Sequence, residues 1–158
     1  MISTDSRQPS AARSEEIGAK LESELERLGA RYVELRRVAW QNFKFNNVAG
    51  ARVAMAGIRE LYSEVMRELA ADDEIMKTEI WLNRKPGKET KPTRRMRYQF
   101  IFGDRLPELD TLVQFDKSME NANKFTHTFS DDPEIVRVSI SQIESCLYLL
   151  LCFSKRVK

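Results

Sequence analysis

Apolar positions recur at helical spacing along most of the chain. Residues 1–13 carry Ser, Arg, Gln and Pro without an apolar period and read as a flexible leader. Ser14, followed by Glu15 and Glu16, makes a capped start for a first helix with the stripe Ile17, Leu21, Leu25 and Leu28, which Gly29 stops. A second stripe of Tyr32, Leu35, Val38, Ala39, Trp40 and Phe43 ends at Asn46-Asn47, where a tight helix–helix turn is expected. From Val48 to about Ala71 the set Val53, Ile58, Leu61, Tyr62, Val65 and Leu69 repeats at steps of three and four, with charged residues on the other faces. Gly57 in this helix either permits close approach of another helix or is simply tolerated.

The pattern breaks in the middle of the chain. Residues 83–93 hold two prolines, a glycine and several lysines, the composition of a connecting loop. Residues 94–102 alternate imperfectly and are expected to be helical. Pro107 opens a further predicted helix, with Leu109, Leu112, Val113, Met119 and Phe125 buried and an end near His127. Asp131, Asp132, Pro133 and Glu134 suit a helix start, and the final helix runs from about Asp132 to Ser154 through Ile135, Val138, Ile143, Leu147, Leu150 and Leu151. The sum is an all-α bundle of about five to six helices, with residues 14–158 as one domain and a basic loop at about 83–95.

Composition agrees with an ordinary globular chain. Of 158 residues 42% are hydrophobic and 32% charged, which excludes wholesale disorder. The 26 bases nearly balance 24 acids, so any basic patch must be local. Between Arg84 and Arg97 there are seven bases and one acid, with Tyr98, Phe100 and Phe102 just downstream. That segment is either a solvated loop or a phosphate-contacting one. Cys146 and Cys152 sit six apart in an apolar stretch and read as reduced packing thiols. No uninterrupted apolar run reaches about 18 residues, so a soluble, cytoplasmic protein without a membrane span is expected.

Few constellations offer chemistry. One histidine rules out a His-rich zinc site, and there is no paired-cysteine metal motif, Gly-rich phosphate loop or HExxH helix, so neither metal nor cofactor is expected. Tyr32, Trp40, Phe43, Tyr62 and Trp81 fall on apolar stripes and read as core or interface aromatics. Glu64 and Glu68 read as an ion-paired face with Arg59 and Arg67.

The one histidine lies in Ala122-Asn123-Lys124-Phe125-Thr126-His127. This segment resembles the helical HEPN nucleases, whose signature is an arginine, a polar residue that is often Asn, three variable residues and a histidine. Asn123 and His127 match; Ala122 stands where the arginine would be. The run from Arg36 to Glu68, with Trp40 and Arg59-Glu60-Leu61, then Thr93-Arg94-Arg95 and His127-Thr128, is also similar to the helical region of bacterial Piwi-associating nucleases of phage-defence loci. The resemblance covers most of residues 30–153.

It implies an HEPN-like, metal-independent ribonuclease of a bacterial defence or toxin system, inactivated or not at position 122. His127 would transfer protons and Asn123 would orient. Arg94, Arg95 and Arg97 would contact phosphate. Histidine titrates near neutrality and arginine clamps phosphate through two parallel hydrogen bonds, which is what attack by a ribose 2′-hydroxyl requires. The family pairs its motif across a two-fold dimer, so a homodimer acting on RNA is implied, with a defence-system or antitoxin protein as further partner. Three accounts of Ala122 stand open: a non-catalytic member, spatial substitution by Arg94, Arg95 or Arg97, or an inactivating Arg-to-Ala change. The alternative function is a non-catalytic module for dimerisation, or for sensing a partner or nucleotide, in a defence system; an antitoxin-like neutraliser is a third.

Overall fold

The computed structural model describes residues 8–44, 46–85, 87–103, 117, 119–122, 124 and 131–157, with side chains described between 17 and 154. Seven helices are named here: α1 (Gln8–Leu28), α2 (Ala30–Gln41), α3 (Val48–Leu69), α4 (Asp72–Met76), α5 (Glu79–Leu82), α6 (Arg94–Phe102) and α7 (Pro133–Val157). Residues 117, 119–122 and 124 are also helical, and no strand occurs among the described residues. The fold is an all-α bundle, as the apolar spacing predicts.

Local chemistry explains the boundaries. Gly29 alone separates α1 from α2, so the two helices fold back as a hairpin. α1 begins at Gln8, six residues ahead of the expected start at Ser14, with Pro9 in its first turn, where the missing N–H removes no helical bond. Asn47 caps α3 by accepting from the Gly50 N–H at 3.1 Å. Thr93 caps α6 by accepting from Met96 N–H at 3.2 Å, and Asp132 accepts from Glu134 N–H at 3.0 Å where Pro133 opens α7. Much of the helix expected between Pro107 and His127 lies outside the described residues.

α1, α2, α3 and α7 close a ring of contacts, each packing on its neighbours. α4, α5 and α6 form a smaller layer, joined to the ring through α6 and α7. The core is filled by Leu21 and Leu25 of α1, Ile58, Leu61 and Val65 of α3, and Ile140, Ile143, Leu147 and Leu150 of α7. Four positions expected on the core stripes are instead exposed: Ile17 at 38%, Val38 at 45%, Val53 at 53% and Val138 at 44%. The core face of α3 uses Ala51 and Ala54 in place of Val53, and that of α7 uses Val136, Ser139 and Ile140 in place of Val138. Small residues are selected on α3 because α2 lies very close. A Cβ added to Gly57 would come within 2.8 Å of the Ala39 Cβ, so Gly57 is an approach point between the two helices.

A buried charge cluster crosses the bundle. Arg36 of α2 grips the Glu144 carboxylate of α7 with Nε and Nη2 and donates through Nη1 to Glu22 of α1 at 3.0 Å. Trp40 Nε1 donates to the same Glu144 at 3.1 Å, and Arg37 holds the other side of Glu22. Gly18 makes room, since the Arg36 guanidinium lies 3.0 Å from where its Cβ would be. Arg37, by hydrogen bonding, and Arg36 hold the Glu22 carboxyl below the ordinary carboxylate range against the opposing pull of burial.

α7 departs from one expectation. Its segment Pro133–Ser154 averages a hydropathy of 1.5, so by length and composition one helix is apolar enough to cross a bilayer. Scattered Ser, Gln and Glu residues break the apolar run, which is why run length alone misses it. Half of that stretch is buried, with Glu144 ion-paired along it, and the helix packs as a core element. Cys146 and Cys152 are free thiols, and burial pushes Cys146 up to about 11.

Two stability outcomes follow. Gly57→Ala is expected to lower unfolding free energy by about 1–3 kcal/mol through overpacking against Ala39, and Ala39→Gly in the same chain to recover part of it, read by urea denaturation. Glu144→Ala is expected to lower it by about 3–5 kcal/mol, because Arg36 is left charged and buried without its main partner.

Candidate functional site

The helical residues around Ala122 lead towards the two motif positions. Asn123 and His127 themselves lie outside the described residues. Ala122 is fully buried and belongs to the core, as does Met119 one turn earlier. The position where the HEPN signature carries an arginine therefore faces packed side chains.

Met119 does more than fill the core. It borders a cleft of about 250 Å³ between α3 and α6, whose rim includes Arg59, Glu60 and Ser63 of α3 and Arg94 of α6. A second cleft of about 220 Å³ adjoins it, bordered by Ser63, Arg67, Arg94 and Arg97. Tyr62, Ser63 and Arg94 belong to both. Helical geometry produces this rim, because residues 59, 63 and 67 are spaced by four and share a face of α3.

The three arginines predicted to contact phosphate have different roles in the structure. Arg94 lies at the junction of the clefts. Arg97 reaches the second cleft but is held from below: Nη1 donates to the Ala70 carbonyl at 2.6 Å and Nη2 pairs with Asp72. Its guanidinium fastens α6 to the start of α4. Arg95 is exposed and borders neither cleft. In the basic loop, Arg84 folds onto Trp81, its guanidinium 3.4 Å from the ring centroid and its Nη1 donating to the Trp81 carbonyl at 2.8 Å. Lys85, Lys88 and Lys91 are exposed.

Beneath the clefts the Tyr62 and Tyr98 hydroxyls are hydrogen-bonded to each other in the core. Burial, followed by the neighbouring Tyr98, pushes the Tyr62 phenol far above its ordinary value, so it stays a neutral hydroxyl at any physiological pH. The charge above it is concentrated. α6 carries no acidic residue in its first turn, while Arg94, Arg95 and Arg97 crowd the positive end of the helix dipole. Asp72 answers Arg97. Among the described residues no cluster of three His, Cys, Asp or Glu is placed to hold a metal ion.

Sequence reasoning did not single out Arg59, Ser63 and Arg67 as cleft residues, nor Glu144 as a buried partner. The four-residue spacing of the first three was visible; that α6 would pack beside them was not. Glu64, read as paired with the arginines of its own helix, also pairs with Arg31 of α2.

Over residues 25–144 the chain matches the family model described as a predicted pPIWI-associating nuclease. The chain belongs to this family. The matched region runs from the end of α1 into α7 and so contains both clefts, Asn123 and His127. No curated protein and no solved structure matches the chain. A pPIWI-associating nuclease implies a nuclease-like role in defence, and the arginine-lined clefts are suited to the phosphates such an enzyme handles.

Restoring the signature arginine should damage the fold. Ala122→Arg is expected to lower unfolding free energy by about 1–3 kcal/mol, because a long cation enters a filled core position. Thermal melts of the variant beside the wild type check this.

Proposed function

We propose that this pPIWI-associating nuclease is a metal-independent, HEPN-type endoribonuclease of a bacterial defence system. The observation that carries the reading is the sharing of one cleft by Arg94, Arg59 and Met119, the last being four residues before Asn123 and eight before His127. A cleft lined by Arg59, Glu60 and Arg94 thereby borders the segment that bears the chain's one imidazole.

In this reading the ribose 2′-hydroxyl gives its proton to a neutral His127 and attacks the adjacent phosphorus. The bond to the 5′-oxygen breaks, and a protonated imidazole supplies the proton that oxygen needs. The products are a 2′,3′-cyclic phosphate and a free 5′-hydroxyl. Each active centre needs a base and an acid, and a homodimer bringing two copies of His127 together supplies both. Asn123 orients the imidazole. Arg94 takes the place of the signature arginine and stabilises charge on the phosphorane, while exposed Arg95 contributes to the approach of RNA and Arg97 holds α6 in position. Burial of Ala122 supports this division, since the bundle has used that position for packing.

The test is cleavage of labelled RNA in EDTA. The wild-type chain is expected to cleave, with a cyclic phosphate terminus detectable by mass spectrometry. His127→Ala should lower the rate about 10²–10⁴-fold, the contribution typical of a positioned acid or base, with an unchanged melting temperature. Arg94→Ala should lower it as well. An inert wild-type chain that remains folded and dimeric would remove the ribonuclease reading and favour a non-catalytic module that dimerises or captures a partner of the defence system.

A further inference from the structure

We infer that the groove between α3 and α6 holds two successive phosphates of an unpaired RNA strand, one in each cleft, with Arg59 and Arg67 as the outer contacts and Arg94 between them. The inference rests on the ribonuclease reading and names the form of its substrate.

The placement follows from the helix. Arg59 and Arg67 are eight residues apart on one face of α3, about 12 Å along its axis, and Ser63 lies midway. One cleft opens beside Arg59 and the other beside Arg67, and they meet at Ser63 and Arg94. An anion in either cleft thus has its own outer arginine and lies beside Arg94, with the Ser63 hydroxyl between the two positions and Glu60 next to Arg59 in the first cleft. Arg67 is available for this exchange: its pairs with Glu60 and Glu64, at 3.5 and 3.4 Å, are made by a half-exposed side chain and hold it weakly.

The first turn of α6 holds no acid of its own and brings Arg94 and Arg97 to the second cleft. Arg97, anchored to Ala70 and Asp72, keeps that turn facing the groove.

The unpaired form of the strand follows from shape and chemistry together. Both clefts are recessed between two helices over the buried Tyr62, so phosphates must enter them one at a time along a flexible backbone. In-line attack by a 2′-hydroxyl on its own phosphate also requires the nucleotide to leave A-form geometry. An unpaired strand does so readily, and a duplex does not.

The probe is a fluorescein-labelled ten-nucleotide oligo(U) carrying 2′-O-methyl groups, which cannot be cleaved. Its binding to the full chain is followed by anisotropy in EDTA between 50 and 200 mM KCl. For two phosphates on a single strand, log K should fall with log salt at a slope of about −1.4, since each contact contributes about −0.7. Arg59→Gln and Arg67→Gln should each bring the slope to about −0.7 and weaken binding several-fold at low salt. A blocked duplex of the same length should bind at least about tenfold more weakly.

The inference is overturned if the wild-type chain does not bind the probe, if the two variants keep the wild-type slope and affinity, or if the duplex binds equally well. Cleavage of unmodified RNA is followed in parallel. His127-dependent cleavage with unaltered binding by the variants sinks the groove assignment alone. Binding with the expected slope by a chain that does not cleave sinks the ribonuclease reading and leaves the groove.

Discussion

The bundle depends on one buried guanidinium. Arg36 sits among α1, α2 and α7, and its charge is satisfied only when Glu22 and Glu144 arrive from two other helices. Trp40 completes the lone pairs of Glu144 from the same helix as Arg36, one turn on. Such a cluster need not add net stability over an apolar replacement, because desolvation offsets much of the attraction. It does discriminate between alignments. Sliding α7 by one turn along α2 would leave a charge buried without a partner, so the alternative packings are penalised more than the native one is stabilised.

That alignment determines what α3 presents outward. α3 packs against α2, closely enough at Gly57 to exclude any larger residue, and against α7 on another side. With those faces committed, the stripe of Arg59, Ser63 and Arg67 is left outside, where α6 lies beside it. α6 is held in turn by Arg97, which uses Asp72 and the Ala70 carbonyl just past the end of α3. One of three neighbouring arginines thus serves as a fastener, while Arg94 is set at the junction of two clefts. Crowding cations at the positive end of α6 goes against local helix preference, and such conflicts are expected where a site has been placed on a fold.

The legible parts of the sequence were those governed by short-range rules. The spacing of Ile58, Leu61, Tyr62 and Val65 defines α3, and Asp132-Pro133 marks a helix start through capping chemistry that needs no tertiary information. Val53 and Val138, like Ile17 and Val38, were misassigned because periodicity weighs apolar character and not the room available. Close helices took Ala51 and Ala54 instead. Glu144 was illegible for a related reason: an acid within an apolar helix becomes interpretable only through a partner 108 positions away. The arginines at 94, 95 and 97 looked equivalent in sequence and are separated only by which side of α6 each occupies. The family was legible in scattered residues from Arg36 to His127, and the match over residues 25–144 bears it out.

Burial of Ala122 links the motif to the groove. In the HEPN signature the arginine and the histidine sit on one segment, so their separation is a property of that segment alone. Here position 122 is closed by the core, and Arg94 of α6 shares a cleft with Met119 in the preceding turn. In the proposed ribonuclease the spacing between phosphate clamp and imidazole would then be set by how α6 docks, through Arg97, Asp72 and the packing of Phe102 against Phe153 of α7. A site assembled this way is sensitive to the fold as a whole. Loosening the contact between α6 and the bundle would move Arg94 without touching any residue of the motif, and would alter catalysis before it altered the helical content of the chain.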